Sequence, residues 1–525
     1  MKVLCLSINA LQNFPGLPKW NQSLSFAYLV AFYTTSKHFR QTEFISLTYY
    51  EDINNEKVIA DLTECKFNIL AISCYIWNIE KVLFIVEKVK EINSDIKIIL
   101  GGPEFSYDSK DVFAAAPSID VVVVGEGEVT FKEVLDYFHE NNGNDLKDIK
   151  GTISKDHAGN VILSHSRAMI EDLDMIPSPY LNGIFDLTKI KNSLSEIETQ
   201  RGCSFNCGYC NYQKGDNNKI RYFNLDRVEK ELELILSHQP KQLFLMDPTF
   251  NFNKKRARSI LSYIIEYNVN TTLNAEMMPD IMDNEIISLS RKAGLKIIEI
   301  GIQSLNPRAI KIMRRYRNEK KLFENIVLAV NEGLQIMPQI IFGLPGDNYE
   351  SFLIDTFNKV YDLQTEELEI NYLSILPQTK YRYDAEKYGI QYNNRSPYNI
   401  IQSNDFTKDE ISLLLEFRKL VLVTLPLKRT INRINKVKQF DYHRLFLGFM
   451  NENNCEINDF VWPIQSLSDK DYAIATIDKF YEYTVAEMGN FLDQSIINEL
   501  KRCKRHGQIT LAAHFMHLHT CENVI

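Results

Sequence analysis

Cysteine is scarce, at nine of 525 residues, which excludes a disulfide-built scaffold and fits a reducing compartment where thiols stay free for metal. An excess of positive charge is also missing. The net charge is −9 with no dense Lys/Arg block, so nothing directs the chain to a polyanion, and no nucleic-acid partner is expected. Long hydrophobic runs are absent too. The longest uncharged run, Trp20 to Ser36, contains Asn21, Gln22, Ser23 and two threonines and falls short of a membrane span. The opening Met1-Lys-Val-Leu-Cys-Leu-Ser-Ile is too short an apolar run for a signal peptide and has no small-residue cleavage site, so it reads as a first buried strand. A cytoplasmic protein with no membrane association is the expectation. With 45% hydrophobic and 24% charged residues the chain reads as globular, and it is too long for one ordinary core.

Three of the cysteines nonetheless stand together, in Arg201-Gly-Cys203-Ser-Phe-Asn-Cys207-Gly-Tyr209-Cys210, directly after a strand-like run from Leu194 to Glu198. Thiolates hold iron–sulfur clusters, normally four at a time, so three leave one iron without a protein ligand. An open iron is where a substrate can bind. Structural zinc would want a fourth Cys or His at comparable spacing, and the nearest such residue after Cys210 is His238.

From residue 1 to about 165, short β-type runs alternate with helical patterns. Strands are predicted at Val3–Ile8, Phe44–Leu47, Ile69–Ser73, Lys97–Leu100 and Val121–Val124, with helices near 22–37, 55–65, 79–93 and 128–141. Continuous apolar strands separated by helices imply a parallel sheet covered on both faces, a doubly wound, Rossmann-like α/β domain. Ligands of such sheets bind at the carboxyl ends of the strands. Ser73 to Asn78, with Trp77 among them, follows the third strand; Gly101-Gly102-Pro103-Glu104 follows the fourth, and Gly125-Glu126-Gly127-Glu128 the fifth. Glycines there let a bulky ligand approach the backbone, or simply supply positive φ to a turn. Glu126 and Glu128 are also placed to favour the N-terminus of the next helix.

Residues 166–193, with Pro177 and Pro179 among acidic residues, read as an irregular linker. Between 194 and 395 the alternation resumes. Strands are expected near 194–199, 242–246, 270–274, 297–302, 336–342 and 368–374, with helices near 225–238, 254–267, 284–293, 307–313, 320–332 and 348–362. Six βα units make a partial barrel, open on one side, where eight would close. Polar groups gather at the strand exits, where parallel barrels carry their active sites. They are Asp247 after the second strand, Glu276 after the third, Gln303, Ser304 and then Arg315 after the fourth, and Gly343 to Asp347 after the fifth. Each has a plain structural account as an N-cap, a solvated helix residue or a turn.

Taken in order, these segments resemble the cobalamin-binding branch of the radical S-adenosylmethionine (SAM) superfamily, over about residues 1 to 395. The resemblance implies a [4Fe–4S] cluster on Cys203, Cys207 and Cys210, with SAM chelating the fourth iron. It assigns Tyr209, Asp247, Glu276, Gln303, Ser304, Arg315, Gly343 and Pro345 to SAM. The N-terminal pattern implies cobalamin against Ser73, Trp77, Gly101, Gly102, Pro103, Gly125, Glu126, Gly127 and Glu128. The DxHxxG motif that gives some cobalamin proteins a histidine ligand to cobalt is absent. Asp441-Tyr-His443 begins like it but lacks the glycine. No histidine of this domain is expected on cobalt, and Trp77 is a candidate for the lower face of the corrin, with core packing as the alternative.

Beyond residue 395 the pattern turns helical, with a capping box, Thr407 to Glu410, ahead of Ile411–Leu427. Residues 374–425 also resemble a C-terminal domain of unknown function from that branch, although Leu376-Pro-Gln-Thr379 departs from its usual Gly-Thr. In the tail, His514, His517 and Cys521 make a possible metal group or the polar face of a terminal helix. The expected layout is therefore 1–165 cobalamin-binding, 166–193 linker, 194–395 barrel and 396–525 helical. The expected reaction is radical cleavage of SAM and modification of an unactivated carbon, foremost by methyl transfer through methylcobalamin. Alternatives are a ring contraction or cyclisation, a tRNA methylthiotransferase with a second cluster on Cys5, Cys65 and Cys74, and a non-catalytic sensor. A small-molecule or peptide substrate and an external electron donor of flavodoxin or ferredoxin type complete the expectation.

Overall fold

A computed structural model describes residues 1–10, 20–106, 109–140, 146–156, 158–191, 193–212, 219–439, 441–452, 467–488, 496–498 and 500–505. The tail with His514, His517 and Cys521 lies outside the described residues.

The first sheet follows from strict alternation. In β1 (Lys2–Asn9), Val3 and Cys5 pack on one face while Leu4, Leu6 and Ile8 pack on the other. The same division runs through β2 (Glu43–Tyr50), β3 (Ile69–Ser73), β4 (Lys97–Gly101) and β5 (Val121–Val123). Side chains that are apolar on both faces need a helical layer on each side. Helices 24–33 and 127–140 cover one face, and helices 55–64 and 79–92 cover the other. The order is β2-β1-β3-β4-β5, all parallel, extended by β6 (Thr152–Lys155) and β7 (Val161–Leu163), which are antiparallel. These last two were not foreseen. They are short and partly polar, and they form a hairpin added at the sheet edge.

The second sheet has six parallel strands, Leu194–Ile197, Gln242–Leu245, Thr272–Glu276, Leu295–Gln303, Gln335–Phe342 and Glu369–Tyr372. They run in sequence order from one edge to the other without closing. The third strand begins and ends two residues later than expected, so Glu276 is its last residue rather than a residue beyond it. Along each strand one set of side chains joins the helix-facing core, as Leu273 and Ala275 do, or Ile298, Ile300 and Ile302. The alternate set, including Asn274, Glu276 and Glu299, therefore faces the lumen.

The capping box at Thr407 and Glu410 is present and starts helix Lys408–Thr424. That helix packs along the sixth barrel strand. Its Phe417 meets Phe357 edge-on at 4.8 Å, and Phe446 joins the same aromatic cluster. The helices after 408 thus share the barrel's hydrophobic core. Lys428, fully buried, caps the preceding chain by donating to Leu363 O (2.6 Å), Thr365 O (2.8 Å) and Thr365 Oγ1 (3.2 Å).

Candidate active site

The cysteine loop is fastened at both ends. Gly202 has φ +93°, and a Cβ there would lie 2.3 Å from Lys219 O. The Gly208 N–H donates to Met313 O (3.1 Å) and its carbonyl accepts from Tyr381 N (3.0 Å). A Cβ on Gly208 would strike the Tyr381 ring at 2.5 Å. The backbone of the loop is thus clamped between the end of the fourth βα unit and the segment after the sixth strand. Cys207 is buried, Cys203 and Cys210 are half-buried, and none of the three is joined in a disulfide. Among the described residues no three His, Cys, Asp or Glu side chains converge as ligands of a single ion do. A cubane asks for less convergence, because each thiolate takes a different iron.

Arg315 reaches this loop from beyond the fourth strand. Its Nη1 lies 3.6 Å from Cys207 Sγ, and its guanidinium stands 5.7 Å from the centre of the Phe205 ring. Gln303 ends the fourth strand at φ +67°, beside a break in register, with its Oε1 buried and unpartnered. A left-handed backbone is costly for a side-chain-bearing residue, and an orphaned buried oxygen adds to that cost. Both are what a residue held for a ligand looks like.

Other predicted residues are already occupied. The Asp247 carboxylate, buried, accepts from Thr199 N (2.8 Å), Thr199 Oγ1 (2.5 Å) and Gln200 N (3.1 Å). Its side chain fixes the exit of the first strand, which leaves its backbone for a ligand. Burial raises its pKa to about 6 against those hydrogen bonds. Ser304, fully buried, donates to Asp347 Oδ2 (2.7 Å) and accepts from Asn306 N (3.0 Å), so its hydroxyl is taken up in the turn. Gly343 (φ +87°) packs against Ile400, and Pro345 is buried beside it. Tyr209 is half-buried beside the thiols and Arg315.

At the carboxyl end of the first sheet, Trp77 is 38% exposed, stacks on Tyr75 at 4.4 Å and donates its indole N–H to Ile8 O (2.9 Å). Ser73, half-buried, ends β3 in register with Gly101. Gly102 (φ +108°) meets the backbone of Cys74, where a Cβ would come within 2.5 Å, so its glycine is required by the fold itself. Gly125 (φ +82°) differs: a Cβ there would meet nothing within 4 Å. Gly127 opens the helix, against Leu29. Pro103 accepts from Asn211 Nδ2 (3.2 Å), beside the cysteine loop.

Glu126 and Glu128 have found partners that the sequence did not suggest. Arg201, two residues before Cys203, pairs with Glu128 (2.6 Å), Glu198 (3.0 Å) and Glu126 (3.5 Å). Arg221 pairs with Glu126 at 2.7 Å. All five side chains are largely buried. Gln378 Nε2 donates to Phe105 O (3.0 Å) and Tyr398 Oη to Glu104 Oε2 (2.7 Å), extending the seam. The carboxyl ends of the first sheet and the cysteine loop therefore meet across one polar interface.

Comparison with known families agrees with both halves. Residues 197–354 match the radical SAM superfamily and residues 39–135 the B12 binding domain. This chain carries a radical SAM domain and a B12-binding domain. It is 28% identical over 265 residues to an uncharacterized methyltransferase of Pyrococcus horikoshii, covering 50% of this chain and 57% of that protein. It is 25% identical over 349 residues to the cobalamin-dependent radical SAM methyltransferase TokK of Streptomyces tokunonensis, covering 62% and 50%. The chain thus spans about half the length of these relatives. Among solved structures, the cobalamin-dependent SAM radical enzyme OxsB with aqua-cobalamin bound superposes with TM-score 0.64 at 14% identity, over 98% of this chain and 84% of that one. The methyltransferase TsrM of Kitasatospora setae gives 0.58 at 17%, over 76% and 79%.

The two domains imply a [4Fe–4S] cluster, SAM and cobalamin as cofactors. The residues present fit those groups: a thiol triad with one Arg on its sulfur, an orphaned buried amide oxygen at the fourth strand's end, and, at the carboxyl end of the first sheet, open space over Gly125 and a half-exposed Trp77. No described helix is long and apolar enough to cross a membrane.

Sequence reading placed Glu276 at the strand exits but missed its lumen neighbours Glu299, Gln339 and Glu369. Gln339 Nε2 donates to both Glu299 Oε2 (3.1 Å) and Glu369 Oε2 (2.8 Å). Glu276 stands in register with Glu299 on the next strand. Glu276 is exposed to the open lumen, yet desolvation by the surrounding walls lifts it to about 7, with Arg315 opposing the rise and Glu369 adding to it. Burial also lifts Glu299 to about 8, reinforced by Glu276 and Glu369. The available signal was a glutamate or glutamine at alternate positions of strands that are otherwise apolar.

Proposed function

We propose that this chain is a cobalamin-dependent radical SAM methyltransferase acting on an unactivated carbon. The observation that carries the reading is the buried seam, in which Arg201 and Arg221 of the barrel domain bind Glu126 and Glu128 of the B12-binding domain. Two cofactor sites that open onto one seam satisfy the proximity that group transfer between them requires. When bound, the cluster supplies reductive cleavage of SAM to a 5′-deoxyadenosyl radical and methylcobalamin supplies a methyl group. The protein's own part is positioning. Cys203, Cys207 and Cys210 hold the cluster, Arg315 sets a positive charge beside the Cys207 sulfur, and Gln303 offers its unpartnered amide oxygen to SAM. Trp77 and the space over Gly125 receive the corrin, with Glu126 and Glu128 serving the seam. A flavodoxin- or ferredoxin-type donor supplies electrons, and the substrate is a small molecule or peptide.

The methylthiotransferase alternative needs Cys5, Cys65 and Cys74 to share a second cluster. Cys5 packs on one face of the first sheet, whereas Cys74 and Cys65 pack on the other. Anaerobic purification with iron, sulfide and hydroxocobalamin tests the proposal. About four irons and one corrin per chain are expected, with 5′-deoxyadenosine and S-adenosylhomocysteine formed from SAM under a strong reductant. About eight irons without corrin, or no SAM-derived product, overturns it.

A further inference from the structure

We infer that Gln378 and Tyr398 are positioning residues for the corrin: from across the domain boundary they hold the loop after β4, Gly101 to Phe105, in its ligand-receiving shape. The inference rests on the proposed cobalamin site. Both residues lie in the chain that follows the sixth barrel strand. Gln378 Nε2 donates to Phe105 O (3.0 Å), and Tyr398 Oη to Glu104 Oε2 (2.7 Å). From the same stretch Ser396 donates its hydroxyl to Ile76 O, next to Trp77. Three side chains of one segment thus land on the loops after β3 and β4, which carry Trp77 and Gly101 to Pro103.

The backbone shows that these contacts are not incidental. Gln378 has φ +64° and Tyr398 φ +57°. A left-handed conformation is uncommon for residues that bear a Cβ and most costly for bulky ones. Here two of them, well apart along the chain, each direct a polar atom to the same loop. The guanidinium of Arg382 stands 5.0 Å from the centre of the Tyr398 ring while donating to Ile375 O (3.0 Å), which fixes that ring in place. Glu104 is buried, so its carboxylate depends on protein donors such as Tyr398. The segment is anchored on its other side too. Tyr381 N donates to Gly208 O (3.0 Å), so the stretch that grips the loop after β4 also grips the cysteine loop. A loop ordered before its ligand arrives spares binding the entropy of ordering it.

The test titrates the full chain, its cluster reconstituted anaerobically, with hydroxocobalamin and reads affinity from the visible absorption of bound corrin. Three single variants are compared with wild type. Gln378→Gly keeps the left-handed backbone at lower cost and removes only the side chain; Tyr398→Phe and Glu104→Leu each remove one partner of the second contact. Each should weaken corrin binding about fivefold or more, the equivalent of one net hydrogen bond, with iron content retained. Tyr398→Phe combined with Glu104→Leu should bind no more weakly than the worse single variant, because both act through one contact. Glu104→Gln, which keeps an acceptor for Tyr398, should stay within about twofold of wild type. Unchanged affinity in Gln378→Gly and Tyr398→Phe, additive losses in the double variant, or iron lost in step with corrin overturns the inference. When wild type binds corrin and the variants bind it equally well, the inference alone is refuted. A wild type that takes up no corrin refutes the proposed function and the inference with it.

Discussion

Asp247 is a buried acid of the barrel and Glu299 a half-buried one, and they predict different behaviour. Asp247 accepts three hydrogen bonds from Thr199 and Gln200, whose chain leads directly to Cys203. Asp247→Asn turns an acceptor into a donor facing donors. It should cost roughly 1–3 kcal/mol and lower iron retention, checked by thermal unfolding and iron quantitation. Glu299 makes one hydrogen bond, to Gln339, in acidic company. Its folded pKa of about 8 lies above its ordinary value, so its contribution to stability is complete below the unfolded pKa and is lost as pH rises through about 8. Urea unfolding of the cofactor-free chain should therefore show Glu299→Gln more stable than wild type near about pH 8.5, with the difference vanishing near about pH 4.

At the scale of elements, the cysteine loop is positioned by contacts that glycine alone permits. Gly202→Ala must move a Cβ away from the Lys219 carbonyl in a left-handed backbone, and Gly208→Ala must displace the Tyr381 ring. The first meets main chain and cannot be relieved by a rotamer change, so it should be the more damaging, at about 1–3 kcal/mol of backbone strain. Iron content after anaerobic reconstitution should fall in both variants, further in Gly202→Ala. Lys428 holds the C-terminal helices to the barrel through three oxygens. Lys428→Met should cost about 1–3 kcal/mol in thermal unfolding, because the Thr365 carbonyl and hydroxyl lose a donor, while Leu363 O keeps only Asn432 Nδ2.

For the whole molecule, the decisive feature is the ion-pair seam. Removing one partner of a buried network strands the others, at about 3–5 kcal/mol, whereas replacing both by apolar side chains is far milder. Glu126→Ala leaves Arg221 without its carboxylate and should split thermal unfolding into two calorimetric transitions. Glu126→Met combined with Arg221→Met should restore much of the single transition. A single transition in Glu126→Ala would mean that the seam does not couple the two halves.

By itself the sequence determined the two αβ halves, the succession of their parallel strands along the chain and the chemistry of the thiol loop, because alternation and residue spacing are local properties. Apolar runs such as Ile69–Ser73 and the triad at Cys203, Cys207 and Cys210 need no partner to be recognised. Which side chains remain free for a ligand was decided only in three dimensions. Glu126 and Glu128 stand far along the chain from Arg201 and Arg221, and Ser304 from Asp347; Glu276, Glu299 and Glu369 come from strands many residues apart. Hydrogen bonds and ion pairs at such separations leave no periodic trace, and only the closed-up fold pairs some of these groups and leaves others, Gln303 and Asn274 among them, waiting.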